Sequence, residues 1–138
     1  MRFPKYGHYA FDLSGNVLEI FATGAWNLQT AEMFAVEMHE LVDSFKGQQW
    51  AALLDGRRWV LSTPECQSCL REAININIAK GLRCSAYVLD VGMVKRAHLE
   101  RMHPANDKNF TFEGYEREYF TSYFDALKWL NNKGYSPL

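Results

Sequence analysis

No stretch of this 138-residue sequence stays apolar over the roughly 18 residues that a membrane-spanning helix needs. The first residues, 1–6, also lack the apolar segment of a secretory signal peptide. Neither sign of charge dominates, because 15 Lys and Arg oppose 16 Asp and Glu and leave a net charge of −1. A nearly neutral chain has no general attraction for nucleic acid or acidic membranes. We therefore expect a cytoplasmic protein with no transmembrane segment that binds no nucleic acid.

Cysteine is scarce too, and the usual catalytic motifs are missing. Three cysteines is an odd count, whereas small disulfide-stapled secreted proteins carry denser, even sets. Free thiols in a reducing compartment are therefore expected. The sequence has no Walker phosphate loop, no G-x-G-x-x-G, no G-x-S-x-G and no H-E-x-x-H. These absences predict no cofactor, no metal site and no catalytic residues, and they favour a non-enzymatic protein.

Apolar residues, in contrast, are plentiful. They make up 48% of the chain, and aromatic residues make up 14%, which is enough to build one hydrophobic core in a chain of this length. No internal repeat and no linker rich in Gly, Ser or Pro divides the sequence. We expect residues 1–138 to form a single domain.

The sequence opens with a β-hairpin pattern. Apolar and other residues alternate from His8 to Leu13 with the period of two that is typical of a half-buried strand. Ser14-Gly15-Asn16 has turn chemistry, since glycine and asparagine accept positive φ. The return strand is predicted over Val17 to Thr23, and Gly24 to Asn27 is expected to break it.

Two continuous apolar runs follow, separated by helical patterns. A first helix, capped by Asn27 or Thr30, carries one apolar stripe at helical spacing. The runs Trp50–Asp55 and Ala86–Asp90 do not alternate, which suits parallel strands covered on both faces. Between them a second helix is predicted over 64–80, with Thr63 as its N-cap. The stripe of the first helix is Phe34, Met38, Leu41, Val42 and Phe45.

The remaining elements complete an alternating order. A third helix is predicted over Val94–Met102, a last strand over Glu118–Thr121 and a final helix after Ser122. The order is β-β-α-β-α-β-α-β-α. Strands that alternate with helices indicate an α/β fold with a mostly parallel sheet and helical crossovers, here with an N-terminal antiparallel hairpin.

The connection after the first central strand carries the candidate binding site. Open α/β sheets bind ligands beyond the carboxyl ends of their parallel strands, and Asp55 and Asp90 end two such strands. Unpaired N–H groups at a helix start attract anions, and guanidinium groups bind them bidentately. The alternative is a solvated loop whose tryptophan folds onto the core. The residues predicted to recognise an anionic or amphipathic small ligand or a protein partner are Arg57, Arg58, Trp59, Ser62 and Thr63.

Phosphorylation is a second interpretation of the same connection. A phosphate on Ser62 or Thr63 would add about −1.5 to −2 charge at a helix N-terminus, beside Arg57 and Arg58. The alternative is that Thr63 only caps the helix. The segment Lys95–Arg101 forms a basic helix, which is either a solvated face or a binding surface.

Cys66 and Cys69 form a C-x-x-C motif near the start of the second helix. A thiol at a helix N-terminus can be stabilised as thiolate, so a thiol–disulfide redox protein using this pair is the alternative function. Against it, Cys66 continues the apolar stripe of the helix, and cysteine is one of the most buried residue types. A zinc site assembled from the cysteines, including Cys84, with His98 and His103 would lack the usual two ligand pairs in loops.

Four stretches together resemble the SpoIIAA-like family, a relative of the STAS domains of sulfate transporters and anti-sigma-factor antagonists. The resemblance implies a small cytoplasmic binding or regulatory domain with no catalytic residues. In STAS antagonists a partner kinase phosphorylates a serine at the start of the helix after the central strand, and Ser62 and Thr63 are the nearest positions here. Independently of the resemblance, the expected partner is a protein or a small anionic or amphipathic ligand, and a homodimer is a further candidate. The stretches are 24–26, 50–55 with Arg57, 63–65 and 123–130.

Overall fold

The computed structural model of this protein describes residues 8–61, 63–90, 97, 99 and 114–137. A short 3-10 turn, Asp43–Phe45, follows the first helix, and Ala97 and Leu99 are helical. No helix among the described residues is long and apolar enough to cross a membrane. The elements are β1 (His8–Ser14), β2 (Val17–Trp26), α1 (Leu28–Val42), β3 (Trp50–Leu61), α2 (Pro64–Ala79), β4 (Leu82–Val88), β5 (Glu116–Phe120) and α3 (Tyr123–Asn132).

The five strands form one sheet in the order β1-β2-β3-β4-β5. The hairpin β1-β2 is antiparallel, and every other neighbouring pair is parallel. The predicted α/β fold is therefore confirmed, including the parallel pairing of the two continuous apolar runs. The hairpin turns where Ser14 pairs with Val17, and Gly15 takes a φ of +59° there, a conformation that glycine adopts without steric cost.

Two strands are longer than the sequence predicts. β2 does not break at Gly24 but continues to Trp26, and β3 does not end at Asp55 but continues to Leu61. The two extensions pair with each other, Gly24 opposite Trp59 and Trp26 opposite Leu61. Each extension supplies the ladder hydrogen bonds of the other, so pairing between distant segments overrides the local turn signals. β4 also begins earlier than predicted and ends at Val88.

Side-chain caps start the three helices as their sequences predict. The Asn27 side chain accepts a hydrogen bond from the backbone N–H of Thr30 at 2.8 Å. Thr63 caps α2 through the N–H of Cys66 at 3.2 Å, and Ser122 caps α3. Each cap satisfies one of the backbone donors that a helix start leaves unpaired. The predicted helix Val94–Met102 lies outside the described residues, apart from positions 97 and 99.

The sheet separates two apolar cores. Successive residues of a strand point to opposite faces, so Leu18 packs on one side and Val17 on the other. We call these sides the first face and the second face. Helices α1 and α2 pack over the first face, and α3 packs over β3, β4 and β5 on the second. The first core is rich in aromatic rings, and five of them form a connected cluster: Tyr9, Phe11, Trp26, Phe34 and Trp59.

Candidate functional site

A register shift in β3 determines where the predicted site residues lie. Phe21 pairs with Asp55, but Thr23 pairs with Arg58, so two steps along β2 match three steps along β3. This is the two-against-one count of a β-bulge, which re-aims the side chains that follow it. Leu54 and Trp59 are five positions apart and would face opposite ways in a regular strand. With the extra residue, both lie in the first-face core.

The shift also brings the two arginines to the same depression on the surface. Arg57 and Arg58 line it together with Phe21, Thr23 and Asp55. An open volume of ≈ 450 Å³ lies within the range of small-ligand sites, about 300–1,000 Å³. In a regular strand, consecutive side chains would point to opposite faces of the sheet. The bulge between Asp55 and Arg58 interrupts this alternation, and both arginines line the depression.

Arg57 forms an ion pair with Asp55, whereas Arg58 forms none with a described residue. Arg57 donates hydrogen bonds from Nε and Nη2 to the two carboxylate oxygens of Asp55, at 3.0 and 2.7 Å. Burial tends to raise the pKa of Asp55, but the hydrogen bonds and positive charge of Arg57 outweigh it, and the pKa is lowered. Arg58 is exposed and makes no ion pair with any residue that the structure describes. Its guanidinium group is therefore available to an anion.

A second depression adjoins the first and extends to the start of α3. It shares Phe21, Asp55 and Arg57 with the first depression and adds the cap of α3, Ser122, and the first-turn residue Phe124. The Phe124 ring is 80% exposed, which makes it the most exposed large apolar side chain in the described chain. The two depressions combine cationic groups with an exposed aromatic ring. We call them together the arginine surface.

Trp59, one of the five predicted binding residues, does not line the arginine surface. Trp59 is only 2% exposed, and its ring lies 5.1 Å from that of Trp26 on the first face. The bulge turns Trp59 to the sheet face away from Arg57. Trp59 is therefore a residue of the hydrophobic core, as in the alternative that the sequence left open.

Thr63 caps α2 and is not among the residues that line the arginine surface. Its hydroxyl accepts a hydrogen bond from Cys66 N–H, which explains the residue structurally. Ser62, the other predicted site and phosphorylation residue, lies outside the described residues. The structure therefore brings together Arg57 and Arg58 of the five predicted site residues, and it adds Phe21, Ser122 and Phe124.

The C-x-x-C pair is placed as the structural interpretation predicts. Cys66 is fully buried, and its thiol donates a hydrogen bond to the carbonyl of Trp26 at 3.3 Å. Burial and the nearby carboxylate of Glu32 raise the pKa of the Cys69 thiol. A raised pKa lowers the thiolate fraction that nucleophilic exchange requires. The described structure therefore gives the redox hypothesis no support, and all three cysteines are free thiols.

In the native protein, Cys66 should react with a thiol reagent much more slowly than Cys69. Complete burial means that Cys66 becomes accessible only through opening of the fold. Replacing Cys66 by alanine should lower the free energy of unfolding by about 1 kcal/mol or more, the scale of a small core truncation. Cys69→Ala serves as the matched control and should cost less, because Cys69 is only partly buried. Rapid native labelling of Cys66 at neutral pH would restore the redox alternative.

Within the described residues, the other sequence candidates add no site. No group of three or more His, Cys, Asp or Glu side chains that could hold a metal ion occurs within the described ranges. Burial raises the pKa of Cys84, the third cysteine, to about 11. The basic segment Lys95–Arg101 and His103 lie outside those ranges, apart from positions 97 and 99.

One buried polar pair was not predicted from the sequence. Glu19, in the middle of β2, is only 7% exposed, and the Tyr123 hydroxyl donates a hydrogen bond to its carboxylate. Tyr123 also lines the second depression. The available signal was the placement of Glu19 between Leu18 and Ile20, since a charged residue inside an apolar strand is rarely buried without a partner.

Comparisons with known proteins support the fold. No protein-family model matches the sequence, and no match was found among curated proteins. Several solved structures are similar to this chain, and two of them match it over nearly its whole length. An uncharacterized DUF3478-family protein with a SpoIIAA-like fold from Shewanella loihica is 16% identical with a TM-score of 0.65, covering 94% of this chain and 98% of that one. An anti-sigma factor antagonist from Mycobacterium paratuberculosis is 13% identical with a TM-score of 0.57, covering 95% and 99%.

At these identities the likeness concerns the fold. The antiparallel hairpin and the otherwise parallel sheet agree with the fold that the sequence predicts. The chain therefore has a SpoIIAA-like fold.

Proposed function

We propose that this protein is a non-enzymatic regulatory module of the cytoplasm that binds a protein partner through the arginine surface. The observation that carries the proposal is the bulge in β3, which sets Arg57 and Arg58 side by side at one depression. An anti-sigma factor antagonist is among the similar solved structures, which favours a regulatory partner protein over a metabolite.

The chemistry of the surface indicates what the partner presents. Arg58 is unpaired among the described residues, and a guanidinium group binds a carboxylate or a phosphate through two parallel hydrogen bonds. Phe124 stands exposed next to the Asp55–Arg57 pair. Aromatic and arginine side chains are the residues most enriched at interface hot spots. The partner should therefore place an acidic group on Arg58 and an apolar side chain against Phe124.

The double substitution Arg57→Ala with Arg58→Ala should abolish stabilisation of the protein by anions. Only a ligand that binds the folded state raises the stability, by about 1.4 kcal/mol at ten times its Kd. Thermal unfolding is measured in phosphate, sulfate and succinate against chloride at constant ionic strength. Arg71→Ala with Lys128→Ala removes the same charge from exposed positions elsewhere and should leave the stabilisation intact. Equal anion responses in both double variants would contradict the site.

Phe124→Ser distinguishes a protein partner from a small anion. Because Phe124 is 80% exposed, its replacement should change stability by less than about 0.5 kcal/mol. Stabilisation by sulfate should persist, whereas a partner cross-linked to the wild-type protein in its own cells should be lost. A partner that is retained by both Phe124→Ser and the arginine double variant would refute the proposed surface.

A further inference from the structure

Asp55 occupies one edge of the Arg57 guanidinium group, where an anion would otherwise bind. Its two carboxylate oxygens accept hydrogen bonds from Nε and Nη2 of Arg57 at 3.0 and 2.7 Å. One of these oxygens also accepts from the Arg57 backbone N–H at 3.2 Å. Two parallel hydrogen bonds to one edge of a guanidinium group are the geometry in which arginine binds a free carboxylate or phosphate. Asp55 is therefore an internal ligand of Arg57.

An incoming anion does not easily replace Asp55. The Asp55 side chain is only 15% exposed, whereas that of Arg57 is 48% exposed. Burial tends to raise the pKa of Asp55, but the hydrogen bonds of Arg57 and the positive charges of Arg57 and Arg58 lower it overall. Breaking a largely buried ion pair leaves a charge without compensation. The group that the arginine surface offers to a ligand is therefore the guanidinium of Arg58, which is unpaired among the described residues.

The charges at this surface favour a carboxylate over a phosphate. Two guanidinium groups and one carboxylate, those of Arg57, Arg58 and Asp55, line the same depression. A carboxylate ligand carries one negative charge on two oxygens, which a single guanidinium group satisfies. A phosphate monoester carries about −1.5 to −2 at neutral pH, and proteins recognise it with clusters of arginines. Bound to Arg58 alone, a phosphate would keep uncompensated negative charge near the Asp55 carboxylate.

Exposed apolar side chains accompany the arginines. Val60 follows Arg58 by two positions and is 53% exposed, and alternate residues of a strand lie on the same face of the sheet. On β2, the residue opposite Val60 is Ala25, whose side chain is too small to cover it. Phe124 adds a second exposed apolar group in the adjoining depression. A peptide that carries an acidic residue beside an apolar one therefore has more to contact here than a small carboxylate ion has.

We propose that the arginine surface selects a carboxylate side chain of a partner peptide over a phosphate group, and that Asp55 determines this selection. The peptide presents an unphosphorylated Asp or Glu to Arg58 and a neighbouring apolar residue to Val60 or Phe124. This selection rests on the proposed function, since it takes the arginine surface as the place where the partner binds.

The test compares three peptides, acetyl-Gly-Leu-X-Leu-Gly-amide, in which X is glutamate, phosphoserine or glutamine. Blocked ends make X the one position that can carry charge. Titrations at pH 7.5, where phosphoserine is mostly doubly charged, and at constant ionic strength are followed by NMR through the backbone amide signals of Arg58, Val60 and Phe124. The glutamate peptide should bind about ten times more tightly than either of the others, the effect of one hydrogen-bonded charge pair.

Asp55→Asn keeps the shape of the side chain but removes its charge. It should raise the affinity for the phosphoserine peptide about tenfold, because Arg57 can then bind the phosphate together with Arg58. The affinity for the glutamate peptide should change by less than about threefold. Asp12→Asn is the matched control, since Asp12 is an exposed carboxylate on the same face that lines neither depression. This control should leave the preference for glutamate unchanged.

The outcomes separate this selection from the proposed function. Adding Arg57→Gln to Asp55→Asn should remove the gain for phosphoserine, and if Asp55→Asn does not fold, the three peptides on the wild-type protein still decide. Phosphoserine binding at Arg58 as tight as that of glutamate, or equal responses of Asp55→Asn and Asp12→Asn, would overturn the selection but leave the surface in place. If no peptide shifts the Arg58 signal, the surface itself is refuted as well.

Discussion

Replacing Trp59 by alanine should lower the free energy of unfolding by about 3–5 kcal/mol, the range for removal of a buried large aromatic side chain. Trp59 is 2% exposed and packs at 5.1 Å against Trp26, which itself lies 5.0 Å from Phe34. The substitution leaves a large void in the middle of this ring cluster, and surrounding side chains close such voids only in part. Urea unfolding monitored by far-ultraviolet circular dichroism gives the measurement.

Arg58→Ala is the matched control for Trp59→Ala, because it changes the adjacent residue of the same strand. Arg58 is exposed and unpaired among the described residues, so its replacement should change stability by less than about 0.5 kcal/mol. Trp59→Phe should fall between the two, since the phenyl ring retains much of the contact with Trp26. Similar losses for Trp59→Ala and Arg58→Ala would mean that β3 ends near Asp55 and that the connection is a solvated loop.

The main elements could be predicted from the sequence because their signals are local. The continuous run Trp50–Asp55 is apolar enough to require cover on both faces, and it does pair with β4 in the centre of the sheet. Thr63 followed by Pro64 is a helix start that depends on neighbouring residues alone. Such features are determined within one turn or one strand, and tertiary contacts reinforce them here.

The extension of β3 could not be predicted in the same way. Gly56 has low strand propensity, and β3 continues past it because the extended β2 pairs with the residues from Arg58 to Leu61. Gly56 was a usable hint of a bulge, since glycine inside a strand often marks one. A Cβ at this position would lie 3.0 Å from Leu54 Cδ2 and 3.1 Å from Trp59 Cε3. The face on which each arginine lies therefore depends on the close packing of Leu54 and Trp59 around Gly56, which the spacing of apolar residues along the sequence does not reveal.

Only part of the candidate site could be predicted, because strand pairing over long distances also decides which residues meet there. Arg57 and Arg58 were identified from chemistry alone, and their chemistry does not depend on the exact strand end. Phe124 was missed because it follows Arg57 by more than sixty positions, and only the parallel pairing of β4 with β5 brings the start of α3 to the arginine surface. Long-range pairing of this kind leaves no trace in a local sequence pattern.

Replacing Tyr123 by phenylalanine should lower the free energy of unfolding at pH 7 by about 2–3 kcal/mol. The Tyr123 hydroxyl donates the one hydrogen bond that the Glu19 carboxylate receives from the described part of the chain. Without it a carboxylate that is 7% exposed keeps its desolvation cost but loses its donor, and hydrogen bonds to charged groups contribute about 1.5–3 kcal/mol. Tyr135→Phe is the control. Tyr135 is 9% exposed, and its hydroxyl bonds to no described residue, so this change should cost less than 1 kcal/mol.

The stability difference between wild type and Tyr123→Phe should also depend on pH. Burial, the hydrogen bond to Glu19 and the negative charges of Glu19, Asp12 and Asp55 raise the pKa of Tyr123 in the folded protein. In the unfolded chain tyrosine ionises near a pKa of about 10. The stabilisation is therefore complete below pH 10, and it is lost as the pH rises above that value, because the unfolded state releases its proton first.

Chemical unfolding at pH 7, 9, 10.5 and 11.5 tests this dependence. The difference between wild type and Tyr123→Phe should stay constant up to pH 9 and then shrink by at most about 1.4 kcal/mol per pH unit. Other buried tyrosines, such as Tyr9 with its pKa raised to about 12 by burial and by Glu37, lower both curves alike and cancel in the difference. A difference that grows above pH 10, or that is absent at pH 7, would show that Tyr123 does not hold the buried carboxylate. The link between β2 and α3 on the second face would then rest on apolar contacts alone.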